Sequence, residues 1–140
     1  MRESEHVLAV ARDRVRKAEN DLANAAHTLK LGADGPTDTV CFHAQQCVEK
    51  YLKTLLLLEG IDFPKTHDLE KLVTLLPARA PTSLTDEAQA KLTEYAVAAR
   101  YPGWGEIPLA EAKRAVAIAR RVRREVRRAL PREILRLKKR

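Results

Sequence analysis

Residues 41–72 read CFHAQQCVEKYLKTLLLLEGIDFPKTHDLEKL, and the fold turns on how this stretch divides. With successive residues set about 100° apart, Val40, Ala44, Cys47, Val48, Tyr51, Leu55 and Leu58 share one arc. Gln46, Glu49, Lys50 and Lys53 lie opposite, and His43 sits at the border. That is an amphipathic helix. Leu56 and Leu57 interrupt it by placing aliphatic side chains on the polar side near its end. An end that is apolar nearly all round is either buried between neighbours or covered by a partner chain. Gly60 stops the helix, and IDFPKTHD forms a connector in which Pro64 keeps the chain extended. Thr66 is placed to cap a short helix, DLEKLVTLL, that buries Leu69, Leu72, Val73 and Leu76.

The same periodicity extends outward in both directions. Leu8, Ala11, Val15, Ala18, Leu22, Ala25 and Leu29 recur at steps of three and four, predicting a helix over about residues 4–30. KLGADGPTDT ends it, and Thr37 or Asp38 can cap the next. LTDEAQAKLTEYAVAAR predicts a further helix, with Ser83 and Asp86 at capping-box spacing and Ala88, Leu92, Tyr95 and Ala99 inward. After YPGWGEIP, a last helix over about residues 108–130 turns Leu109, Ala112, Val116, Ala119, Val122, Val126 and Leu130 inward. No strand pattern or fixed-period repeat appears. The expectation is all-α: an up-and-down antiparallel bundle of four long helices plus one short one, in one domain over residues 1–130 with a basic tail at 131–140.

Composition agrees. The chain has 140 residues, 45% hydrophobic but only 4% aromatic, a mix that favours helix over sheet. No apolar run is long enough to span a membrane, and MRESEHVLAV is too polar for a signal peptide. Cys41 and Cys47 are the only cysteines, and six residues on a helix turn them about 240° apart, too far to bridge within one chain. A reducing, cytoplasmic setting is expected, with no metal site and no cofactor. Charge is distributed unevenly. Residues 113–140 carry 13 basic and 2 acidic side chains; of the chain's 26 and 19, that leaves 13 and 17 for a mildly acidic body.

Catalytic patterns are scarce. There is no glycine-rich phosphate loop, no His-Glu-x-x-His pair and no serine elbow. The histidines at 6, 27, 43 and 67 are scattered. His43 and His67 flank the same helix and are expected about 25 Å apart, too far to share a site in one chain. His67 is expected to cap the short helix or bond the connector backbone.

The pattern F-H-A-Q-Q-x-x-E-K-x-L-K at residues 42–53, followed by K-T-H-D-L at 65–69 and later AARYPG, resembles the HEPN domain family (higher eukaryotes and prokaryotes nucleotide-binding). The resemblance implies a helical bundle, usually a homodimer, similar to the substrate-binding helical domain of some nucleotidyltransferases. Many members are encoded beside a minimal nucleotidyltransferase as one half of a toxin–antitoxin pair. Catalytic members are metal-independent RNases that use an Arg, four to six residues, then a His. Here the positions five to seven residues before His27, His43 and His67 hold no arginine, and His6 stands too near the start. Arg100 occupies the family's arginine position with no histidine behind it, so any nuclease would need a divergent site there, with Glu106 as a substitute base.

Binding is the better expectation. His43, Gln46, Lys50, Lys53, Arg100 and Tyr101 are the candidate nucleotide contacts, with Trp104 beside Arg100 and Tyr101 to stack a base. Arg120, Arg121, Arg124, Arg127 and Arg128 are the candidate contacts for RNA, because arginines around three sides of a helix suit a phosphate backbone. The function expected is a dimeric, non-catalytic partner of a nucleotidyltransferase that binds nucleotide or RNA. The alternative is an RNase toxin acting around Arg100.

Overall fold

The structure, a computed structural model, describes residues 2–78, 80, 82–98 and 106–136, and among these all regular structure is helical. The helices are α1 (Arg2–Leu29), α2 (Thr37–Leu58), α3 (Leu69–Leu75), α4 (Asp86–Ala98), α5 (Leu109–Ala129) and α6 (Arg132–Leu135), with a single 3-10 turn at Gly32–Asp34 after α1. The long helices alternate in direction along the chain, and α2 lies at the centre, packed against α1, α5, α4 and α3. The α2 and α5 axes run parallel: the Thr37 hydroxyl donates to the Ile107 carbonyl at 2.6 Å, while Arg127 reaches Tyr51 two turns from the other end.

The central position of α2 explains its leucines. Leu52, Leu55 and Leu56 are buried in this chain's own core, and Leu57 and Leu58 pack against it, so the all-round apolar end is covered from within. Small residues on the neighbours allow the close approach: Ala11, Ala18 and Ala25 of α1 and Ala112, Ala115 and Ala119 of α5 are all buried. Cys41 and Cys47 are free and buried in this core. Burial pushes the Cys41 thiol up to about 12.

The helix boundaries differ from expectation in instructive ways. Asp68, not Thr66, caps α3, its carboxylate accepting from the Glu70 and Lys71 amides at 3.0 and 3.4 Å. Thr66 instead accepts from the Asp68 amide. At α4 the Thr85 hydroxyl accepts from the Ala88 amide, while the Ser83 amide donates to Glu125. Gly60 adopts φ 70°, and the Ile61 and Gly60 amides close onto the Leu56 and Leu57 carbonyls. That left-handed closure turns the chain back along α2. At the C-terminus, Pro131 ends α5 but the next turn is not a loose tail. Ile134 of α6 is fully buried, and Arg12 of α1 donates to the Glu133 carbonyl.

Candidate functional site

The polar side of α2 does not face water. Gln45 is fully buried and Glu49 is 5% exposed, because the connector folds back over one flank and α1 covers the other. Two carboxylates organise what lies there.

Glu49 is the first. One oxygen accepts from Gln45 at 3.0 Å and meets His67 Nδ1 at 2.8 Å; the other pairs with Lys53 at 2.9 Å. Gln45 also donates to the His67 carbonyl, and Gln46 donates to Gln45 at 2.7 Å. Burial alone would raise the Glu49 pKa, but the bonds from His67, Lys53 and Gln45 outweigh it and hold the group below the usual carboxylate range. Above this cluster, Arg14 and Lys53 both lie over the Phe63 ring, 5.7 and 5.8 Å from its centre. The connector is therefore tied down by His67 and Phe63 together.

Asp21 of α1 is the second. It accepts from Lys50 and meets His43 Nδ1 at 2.8 Å. Near it on α1, Glu19 accepts from the Tyr51 hydroxyl and takes Arg123 Nε at 2.7 and 3.0 Å, with Arg127 Nη1 at 3.9 Å. Burial raises the Glu19 carboxyl, and Arg123 and Tyr51 overcome it to give a net lowering.

The candidate nucleotide contacts thus fall into separate groups. His43 and Lys50 share Asp21; Lys53 and, through Gln45, Gln46 belong to Glu49. Ala99, Arg100, Tyr101 and Trp104 lie outside the described residues. The reversed connector brings His67 to Glu49, six residues or roughly 9 Å along α2 from His43, far less than the expected 25 Å. The two histidines still bind different carboxylates. Among the described residues, no three of His, Cys, Asp and Glu come together as metal ligands, and no helix is long and apolar enough to cross a membrane.

The α5 arginines divide as well. Arg127 is half-buried beside Tyr51 and Glu19, so it is engaged inside the bundle. Arg120, Arg121, Arg124 and Arg128 are exposed, together with Lys113 and Arg114, and none forms an ion pair among the described residues. Arg120, Arg124 and Arg128 follow one another at roughly 6 Å steps along the helix. Between α1 and α5, beside these arginines, lies an open hollow of about 370 Å³ lined by Glu19, Leu22, Ala23, Ala26, Arg120, Arg123 and Arg124. Sequence reasoning missed Glu19, Asp21 and Arg14 of α1. Each sits at the margin of the α1 apolar stripe, and that position was the available signal.

Fold and site together define a helical bundle with paired carboxylates inside and, among the described residues, exposed arginines without ion partners outside. The chain belongs to the HEPN family: the family model, HEPN domain, matches residues 11–129. Among solved structures it is similar to TT1696 from Thermus thermophilus, at 27% identity and a TM-score of 0.70, over 86% of this chain and 98% of that one. It is also similar to ST0689, an archaeal HEPN homologue, at 25% identity and a TM-score of 0.67, over 85% and 96% of the respective chains. A comparison with curated proteins finds no match.

Proposed function

We propose that this HEPN-family chain is a binding protein without catalysis of its own, holding RNA on the outward face of α5 and acting as the dimeric partner of a nucleotidyltransferase, as in a toxin–antitoxin pair. The observation that carries the RNA half is the set of exposed cations at Lys113, Arg114, Arg120, Arg121, Arg124 and Arg128, none within ion-pair distance of a described carboxylate, although Arg114 also acts on Glu111. Six charges on one helix release counterions when they meet phosphates. Family resemblance supports the protein-partner half, and the missing Arg-x(4–6)-His spacing supports the absence of catalysis.

Anisotropy of a fluorescein-labelled RNA, titrated with the protein at several salt concentrations, tests the RNA half. Binding is expected to weaken steeply and linearly in log–log form as salt rises. Cleavage of that RNA, lost in Arg100→Ala with the fold intact, would decide for the nuclease instead.

A further inference from the structure

We infer that the hollow between α1 and α5 seats one unstacked base of a single strand, so that this protein prefers single-stranded RNA to duplex. The inference rests on the RNA-binding reading and adds a subsite to it.

The floor of the hollow is Leu22, Ala23 and Ala26, aliphatic and low enough for a flat ring to come close to the helix. The rest of its lining is Arg120, Arg123 and Arg124 with the Glu19 carboxylate, whose charge Arg123 pairs. The two roles these arginines play differ. Arg123 is fixed by its Nε bonds to both oxygens of Glu19, which immobilises a guanidinium plane on which a base can stack. Arg120 and Arg124 have no ion partner among the described residues, and they stand one helical turn apart, roughly 6 Å. That spacing is comparable to one nucleotide step of an extended strand, so consecutive phosphates can be met on either side of the inserted base.

Size argues against other occupants. The arginine wall is a single turn long, whereas a docked helix is about 10–12 Å across and needs several turns of contact. A duplex keeps its bases stacked inside and can reach only the outer arginines, leaving the hollow empty.

The test compares a fluorescein-labelled 12-nucleotide RNA, alone and annealed to its complement, binding to the full chain and to Ala23→Leu/Ala26→Leu. Both alanines are at least partly exposed, and leucine keeps helix propensity, so the variant fills the hollow without touching the core. The wild type is expected to bind the single strand roughly tenfold tighter than the duplex, and the filled variant to lose that preference while duplex binding stays unchanged. Equal affinity for both forms, or a single-strand preference that survives filling, overturns the inference and leaves the RNA reading standing. No binding of either form at low salt overturns both. A melting curve checks that the variant folds. Should it not, Arg123→Gln gives the second measurement, with the same loss of preference expected and its retention overturning the inference.

Discussion

Two arrays of charge lie on this bundle, on α2 and on α5, and they do opposite things with similar side chains. On α2 the enclosed charges meet partners: Lys53, His67 and Gln45 converge on Glu49, and Lys50 and His43 on Asp21. On α5, Arg120, Arg121, Arg124 and Arg128 meet none among the described residues. The difference lies in the neighbours. α2 is enclosed by α1 and the returning connector, so its charges had to be paired to be buried at all. Among the described residues no helix covers the outer face of α5, and Arg120, Arg121, Arg124 and Arg128 there are exposed to water. A cation's residue type therefore says little about its role; whether a carboxylate was placed beside it says most.

The comparison would break first at Glu49. Glu49→Ala removes the acceptor shared by Lys53, His67 and Gln45, and leaves the largely buried Lys53 ammonium and Gln45 amide without it. A loss of about 3–5 kcal/mol in urea unfolding is expected. RNA affinity per folded molecule should be unchanged, because no α5 side chain touches this cluster. A loss below about 1 kcal/mol would show that the connector is held by apolar packing alone.

The opposite effect belongs to α5. Replacing Arg120, Arg121, Arg124 and Arg128 together with alanine removes four unpaired charges and no described ion pair. The slope of log affinity against log salt should fall by about 3, taking roughly 0.7 per single-strand phosphate contact, with the melting temperature nearly constant. An unchanged slope would remove α5 from the binding surface.

How much of this was legible in the sequence follows from what a helical wheel contains. Recurrence at three and four residues places α1, α2, α4 and α5 to within a few positions, since each helix must hide one stripe whatever its neighbours are. The wheel cannot register what closes over the other side. Gln46, Glu49, Lys50 and Lys53 read as an open polar face because the return of the connector at Gly60 is a tertiary event, and the distance from His43 to His67 failed for the same reason. Caps were misplaced where competent residues stand side by side: Thr66 against Asp68, Ser83 against Thr85. Ile134 was lost among the charges of REILRLKKR, although a single apolar residue after a proline can still find the core. Arg100, Tyr101 and Trp104 lie outside the described residues.

Acid sharpens the contrast further. Glu49 and Glu19 are both held below their ordinary 4.5 in the folded chain, so the unfolded chain binds protons more readily at mildly acidic pH. Their contribution is fully present above about pH 5 and is lost as pH falls through 4.5 toward the lower folded values. Thermal melts from about pH 7 to about pH 3 should show the midpoint falling in that window. Glu49→Gln should start lower and fall less, while the four-arginine variant should follow the wild-type curve. Parallel curves for wild type and Glu49→Gln would mean that Glu49 does not carry the acid dependence.

The smallest test sets neighbours on one helix against each other. Arg123 and Arg124 are adjacent in sequence, and both line the same hollow. Arg123 is bonded to Glu19, which also accepts from Tyr51; Arg124 is exposed and unpaired among the described residues. Arg123→Ala should therefore cost about 1–2 kcal/mol, less than a buried pair because the side chain is 35% exposed and partly screened. Arg124→Ala should stay within about 0.5 kcal/mol of wild type while weakening RNA binding at low salt. In the double variant Glu19→Gln/Arg123→Ala, part of the Arg123 cost should disappear, because the carboxylate left without its main partner is gone. Equal costs for the two single variants would show that the bond to Glu19 contributes nothing and that α5 is electrostatically uniform from inside to outside.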